Sequence, residues 1–164
     1  MSNVQDKYNL QQLAEKAMLE GENAIVQHDF SNAAKHIKES LRLLKEANCI
    51  EKYVENLNIL GLVYAMEKDE SAAFDCYLES LATAEVLRSK DLKALSYSNI
   101  GSCYQRMGKH EEAMKYFRDA RKEYKGTLGK GSENYEMWNT LNFLNHAASS
   151  VENSKILDKS VVFV

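Results

Sequence analysis

The chain has 164 residues, enough for one domain whose apolar core needs no disulfide or metal staple. Apolar residues make up 45% and charged residues 27%, and a net charge of −3 with interleaved signs lacks the basic face of a nucleic-acid binder. No apolar run approaches the roughly 18 residues of a membrane span, and the first residues lack the basic-then-apolar layout of a secretion signal.

Proline is absent, which argues against a fold rich in hairpins and tight turns and favours helices joined by short polar connections. Cys49, Cys76 and Cys103 are widely spaced and odd in number, and read as reduced thiols of a cytosolic protein.

In chain order, the first helical pair is expected within 10–50, broken at His28-Asp29-Phe30-Ser31, where Asp29 or Ser31 caps the next helix. The second pair occupies 51–90. Leu57, Leu60 and Tyr64 mark its first helix, and Ala73, Tyr77, Leu81 and Ala84 its second. Between them lies Lys68-Asp69-Glu70-Ser71, with Asp69 or Ser71 as the cap. The third pair covers 91–126. Leu95, Ile100, Cys103, Tyr104 and Met107 recur at helical spacing, Gly108-Lys109-His110 breaks the pattern, and Met114, Phe117, Ala120 and Tyr124 resume it.

A glycine-rich loop then leads into a capping helix over 132–150, with Met137, Trp138, Leu141, Phe143 and Leu144 on its apolar face. These segments make one domain over 1–150, and 151–164 reads as a tail or a cut linker.

The three pairs are copies. Gly21, Gly61 and Gly101 stand forty residues apart, and the same offset relates Ala24, Tyr64 and Tyr104. It also relates Ala33, Ala73 and Ala113, then Ile37, Tyr77 and Phe117, then Ser40, Ser80 and Ala120. Glycine inside a helix costs up to about 1 kcal/mol relative to alanine. Its recurrence therefore predicts a close helix approach that leaves no room for a side chain. The aromatic columns are expected to fill the space between units as core.

The repeat resembles the tetratricopeptide repeat family, whose pattern is aromatic-x-x-Leu-Gly-x-x-Tyr followed by Ala-x-x-x-Phe. The third unit reads Tyr97-x-x-Ile100-Gly101-x-x-Tyr104, then Ala113-x-x-x-Phe117. The second reads Leu57-x-x-Leu60-Gly61-x-x-Tyr64, then Ala73-x-x-x-Tyr77, and the first is degenerate. The resemblance covers about residues 10 to 125 and implies an all-α, right-handed α-solenoid of antiparallel helix pairs. The family's usual unit has 34 residues and a proline near its end. Six extra residues per unit are expected to lengthen both helices.

By the same resemblance the first helices line a concave groove that receives a protein or peptide partner. Its columns hold Met18 and Glu22 in the first unit, with Glu15, Ile25 and Val26 beside them. The second unit supplies Asn58, Leu62 and Met66, with Glu55 and Ala65, and the third supplies Ser98, Ser102, Gln105 and Arg106, with Leu95. Trp138, Asn142 and Asn145 extend the row on the capping helix, beside Tyr135 and His146. Acidic residues at one end and Arg106 with His146 at the other predict a partner segment of opposite polarity. Family members that grip a terminal carboxylate use lysine, asparagine and arginine on these columns. Met18 and Glu22 stand at the corresponding first-unit positions, and a glutamate repels a carboxylate, so that mode is not expected.

No chemistry competes with this reading. Gly126-Thr127-Leu128-Gly129-Lys130-Gly131-Ser132 has the wrong spacing for a phosphate loop and follows no strand. His36 and Cys76 occupy equivalent columns but fall short of the four close ligands of structural zinc. Glu111-Glu112 stands at a helix start, where acids favour the dipole. The chain is thus expected to be a non-enzyme with no cofactor or metal and no nucleic-acid or membrane partner. Two further readings stand beside it. One is a regulatory module at the start of a larger bacterial signalling protein, such as a diguanylate cyclase. The other is a homo-oligomer, a scaffold whose array ends stack.

Overall fold

Tight turns recurring every twenty residues divide the chain into helices of nearly equal length. The computed structural model describes residues 4–124. These form α1 (Val4–Val26), α2 (Phe30–Glu46), α3 (Ile50–Met66), α4 (Glu70–Leu87), α5 (Lys90–Arg106) and α6 (His110–Tyr124). The expected helical fold is present, and the additional length of the unit lies in its helices. α2, α3 and α5 each run 17 residues, about five turns.

Each turn uses one left-handed residue. His28, Asn48, Lys68, Arg88 and Gly108 have φ of 58°, 52°, 64°, 56° and 74°. Behind each, the next amide reaches back five residues, as in Asp29 to Ala24, Asp69 to Tyr64 and Lys109 to Tyr104. This is the closure that satisfies the last carbonyls of a helix. Only at 108 is the left-handed residue glycine, the type that takes this conformation without strain. The next residue starts the following helix. Asp29 accepts from the Asn32 amide, Asp69 from that of Ala72 and Ser89 from that of Leu92, which selects the aspartates over Ser31 and Ser71 as caps.

Consecutive helices pack antiparallel, and α3 also meets α5. The glycine column sits at the crossing within each pair. A Cβ on Gly21 would lie 2.8 Å from Ile37 Cγ1, one on Gly61 2.8 Å from Tyr77 Cδ1 and Cζ, and one on Gly101 2.7 Å from Phe117 Cε1. Two sequence columns therefore meet face to face, glycine against the large residue sixteen positions later. Tyr77 and Phe117 are buried, as are Ala33, Ala73 and Ala113. Tyr77 packs with Ile100 and Cys103 of the next unit, so the large column also glues units together.

The serine column ties units by hydrogen bonds. Buried Ser40 donates to the Ala14 carbonyl (2.7 Å) and accepts from Asn56 Nδ2 (2.9 Å), joining α1, α2 and α3. Buried Ser80 accepts from Asn58 Nδ2 (2.6 Å), and its oxygen lies 2.6 Å from that of Ser96, which donates to the Leu92 carbonyl (2.9 Å). With Ser96's proton committed to Leu92, Ser80 is the donor to Ser96. The result is an α-solenoid: repeated helix pairs held by one core that runs along the array.

Candidate functional site

The columns expected to line a groove lie on the first helices α1, α3 and α5, and their exposure differs along the array. Met18 is half-buried on α1, and Glu22, one turn later, is exposed with no ion-pair partner among the described residues. On α3, Leu62 and Met66 are 49% and 47% exposed, although Val54, Leu57, Leu60 and Val63 of the same helix are buried. Ile25 and Ala65 are half-buried beside this strip, and Val26 is exposed at the end of α1.

At the start of the strip a cavity of about 190 Å³ opens between α1 and α3, walled by Met18, Glu15, Lys52 and Glu55. Lys52 donates to Glu15 across it, which raises the lysine's affinity for its proton; Glu55 contributes to the same effect more weakly. On α5 the face turns polar and uncharged. Ser98, Ser102 and Gln105 are half-buried, and Ser102 spends its hydroxyl proton on the Ser98 carbonyl (3.0 Å).

Two expectations change. Asn58 does not face an open groove. It is 5% exposed, and its carboxamide is spent internally. Nδ2 donates to the Val54 carbonyl (2.9 Å) and to Ser80 (2.6 Å), while Oδ1 accepts from Asn99 Nδ2 (2.8 Å). A carboxamide offers two protons and one oxygen, so little is left for a ligand. The missed signal was Ser80: a hydroxyl recurring on a buried helix face demands a partner, and Asn58 on the neighbouring helix supplies it.

Arg106 is likewise occupied. Its Nε and Nη2 hold the two oxygens of Glu70 at 2.7 and 3.0 Å, a forked pair that holds the glutamate's pKa down and the guanidinium's up. Arg106's share of the expected basic end is therefore neutralised, and His146 lies outside the described residues. Trp138, Asn142 and Asn145, with the capping helix, lie outside the described residues.

A larger cavity, about 850 Å³, runs along α2 and touches the end of α3 at Tyr64 and Glu67. Its polar side chains are mostly engaged. Arg42 pairs with Glu39 and Glu46, Lys38 sits 5.3 Å from the Tyr64 ring centre, and His36 lies 3.0 Å from Glu20.

Among the described residues no three histidine, cysteine, aspartate or glutamate side chains gather as a metal site requires. Burial pushes the Cys76 and Cys103 thiols up to about 11, which keeps them protonated near neutral pH. No described helix is long and apolar enough to cross a membrane.

Stacked helix pairs repeated along the chain define a helical-repeat protein. Residues 52–126 match the sequence profile of the tetratricopeptide repeat. No curated protein sequence matches the chain.

Solved structures are similar in fold. The N-terminal domain of stress-induced protein-1 (STI-1) from C. elegans superposes with a TM-score of 0.60 at 19% identity, over 86% of this chain and 99% of that one. BtubC (BKLC) from P. vanneervenii gives 0.66 at 17%, over 93% of this chain and 65% of that one. The TPR2AB-domain:pHSP90 complex of yeast Sti1 gives 0.61 at 15%, over 86% and 50%.

Proposed function

We propose that the array is a non-catalytic interaction module whose row of first helices holds a segment of another protein. The observation that carries this reading is the pair Leu62 and Met66, nearly half exposed one turn apart on a helix that buries Val54, Leu57, Leu60 and Val63. Adjacent open apolar side chains on a soluble surface mark a place where something docks. Methionine in such a place adapts to varied ligand shapes.

Met18, Glu22 and Ile25 extend the strip on α1, and Ser98, Ser102 and Gln105 offer a polar continuation on α5. Trp138, Asn142 and Asn145 belong to the same proposed row. The likeness to the yeast Sti1 TPR2AB domain, solved as a pHSP90 complex, supports a ligand-holding role at the level of fold.

The test is capture of partners from lysate on the full chain and on a Leu62→Asp, Met66→Asp double variant, quantified by mass spectrometry. Both side chains are exposed, so the variant is expected to keep its helical circular dichroism. Proteins retained by the parent and lost by the variant support the proposal. If the folded variant retains every one of them, the row of first helices is not the docking face.

A further inference from the structure

We infer that the segment held on this face is apolar and carries lysine or arginine, with its basic groups directed to the α1–α3 end. This inference rests on the docking role proposed above and adds the partner's chemistry. Glu15 and Glu55 wall the α1–α3 cavity with one ammonium, Lys52, which is already bonded to Glu15, and Glu22 stands exposed two turns further along α1. Glu22 has no ion-pair partner among the described residues.

At the other end Arg106 brings no free charge, because both oxygens of Glu70 hold it. The apolar strip thus carries an uncompensated negative field on one side and a neutral polar border on the other. A concave face with low-dielectric walls concentrates such a field. A carboxylate brought to this end meets like charge and loses water without gaining a partner, whereas an ammonium or guanidinium gains one.

The apolar part of the segment covers Leu62 and Met66, and one side chain enters the cavity of about 190 Å³ beside Met18. Basic groups flanking that side chain reach Glu55 and Glu22, which makes the ligand an amphipathic segment of positive charge.

Fluorescence anisotropy of the full chain with three amidated synthetic peptides tests this. One is built of leucine and lysine, one of leucine and glutamate, and one of serine and lysine. The leucine–lysine peptide is expected to bind tightest, by about tenfold, and to weaken about tenfold in a Glu22→Lys, Glu55→Lys variant or at raised salt. Glu111→Lys with Glu112→Lys on α6 changes the net charge equally and is expected to leave the affinity unchanged.

Equal binding of the leucine–glutamate peptide overturns the inference, as does equal damage from the α6 variant or no binding of the leucine–lysine peptide. If Leu62→Asp with Met66→Asp abolishes binding while the charge reversal does not, the docking face stands and its basic specificity falls. Binding that survives both variants removes the face itself. Sedimentation that shows a dimer of the parent chain, broken by Leu62→Asp, makes the occupant a second copy and overturns the inference.

Discussion

Gly61 illustrates how a single position carries the helix pairing. Its missing side chain is the space that the Tyr77 ring occupies, and Tyr77 in turn fills the joint to the next unit. A methyl group there forces a buried ring to move, which costs about 1–3 kcal/mol as overpacking, while better helix propensity returns up to about 1. Gly61→Ala is therefore expected to lose about 1–2 kcal/mol in urea unfolding, although the same change in an open helix stabilises.

At Gly21 one atom, Ile37 Cγ1, crowds the added methyl group, whereas three atoms of the Tyr77 ring crowd it at Gly61, so Gly21→Ala is expected to cost less than Gly61→Ala. An equal or stabilising effect at both positions would show that the close approach is not needed. The glycine column was legible in the sequence because one residue type at one interval has few explanations. Asn58 was not legible, since its partners Ser80 and Asn99 lie 22 and 41 residues away.

The helices are set by their ends more than by their middles. The left-handed residue at 28, 48, 68, 88 and 108 halves the forty-residue period, so each helix and its turn form one twenty-residue step. Only the fifth step uses glycine, and the other four leave an L-residue in a conformation that costs about 1–2 kcal/mol in a free chain. Lys68 is exposed and makes no side-chain hydrogen bond or ion pair among the described residues.

Lys68→Gly is accordingly expected to stabilise by about 0.5–1 kcal/mol, a net gain after the extra entropy of an unfolded glycine. In a thermal melt this is a rise of about 2 °C. A lower melting temperature would mean that the lysine makes an interaction outweighing the strain. The twenty-residue step escaped the sequence because His28, Asn48, Lys68 and Arg88 share no chemistry, only a backbone conformation.

Across the whole array, units are joined by a buried hydroxyl network and by ion pairs such as Glu70 with Arg106, which ties α4 to α5. The hydrogen bond from Arg106 holds the Glu70 carboxyl below its ordinary 4.5. A carboxylate depressed by folding adds stability that is present above the unfolded value and disappears as pH falls through the folded one. The melting temperature of the parent chain is thus expected to exceed that of Glu70→Gln near neutral pH, and the gap to close below about pH 4.5. A gap that stays constant down to pH 3 would show that the pair contributes nothing that depends on charge.

The sequence by itself determined the repeat, its period, the pairing of helices and the glycine crossings, because these depend on local propensity and on one spacing copied three times. The tertiary structure decided which residues of the expected groove columns stay open. Asn58 turns inward because Ser80 leaves an acceptor that burial obliges it to satisfy, and Arg106 is neutralised because the α4 and α5 ends meet in space. Leu62 and Met66 remain about half exposed because the described neighbours cover only one side of each. Whether a side chain is spent inside or offered outward depends on groups brought close by packing, and repeat spacing places a residue on a helix face without saying what that face will meet.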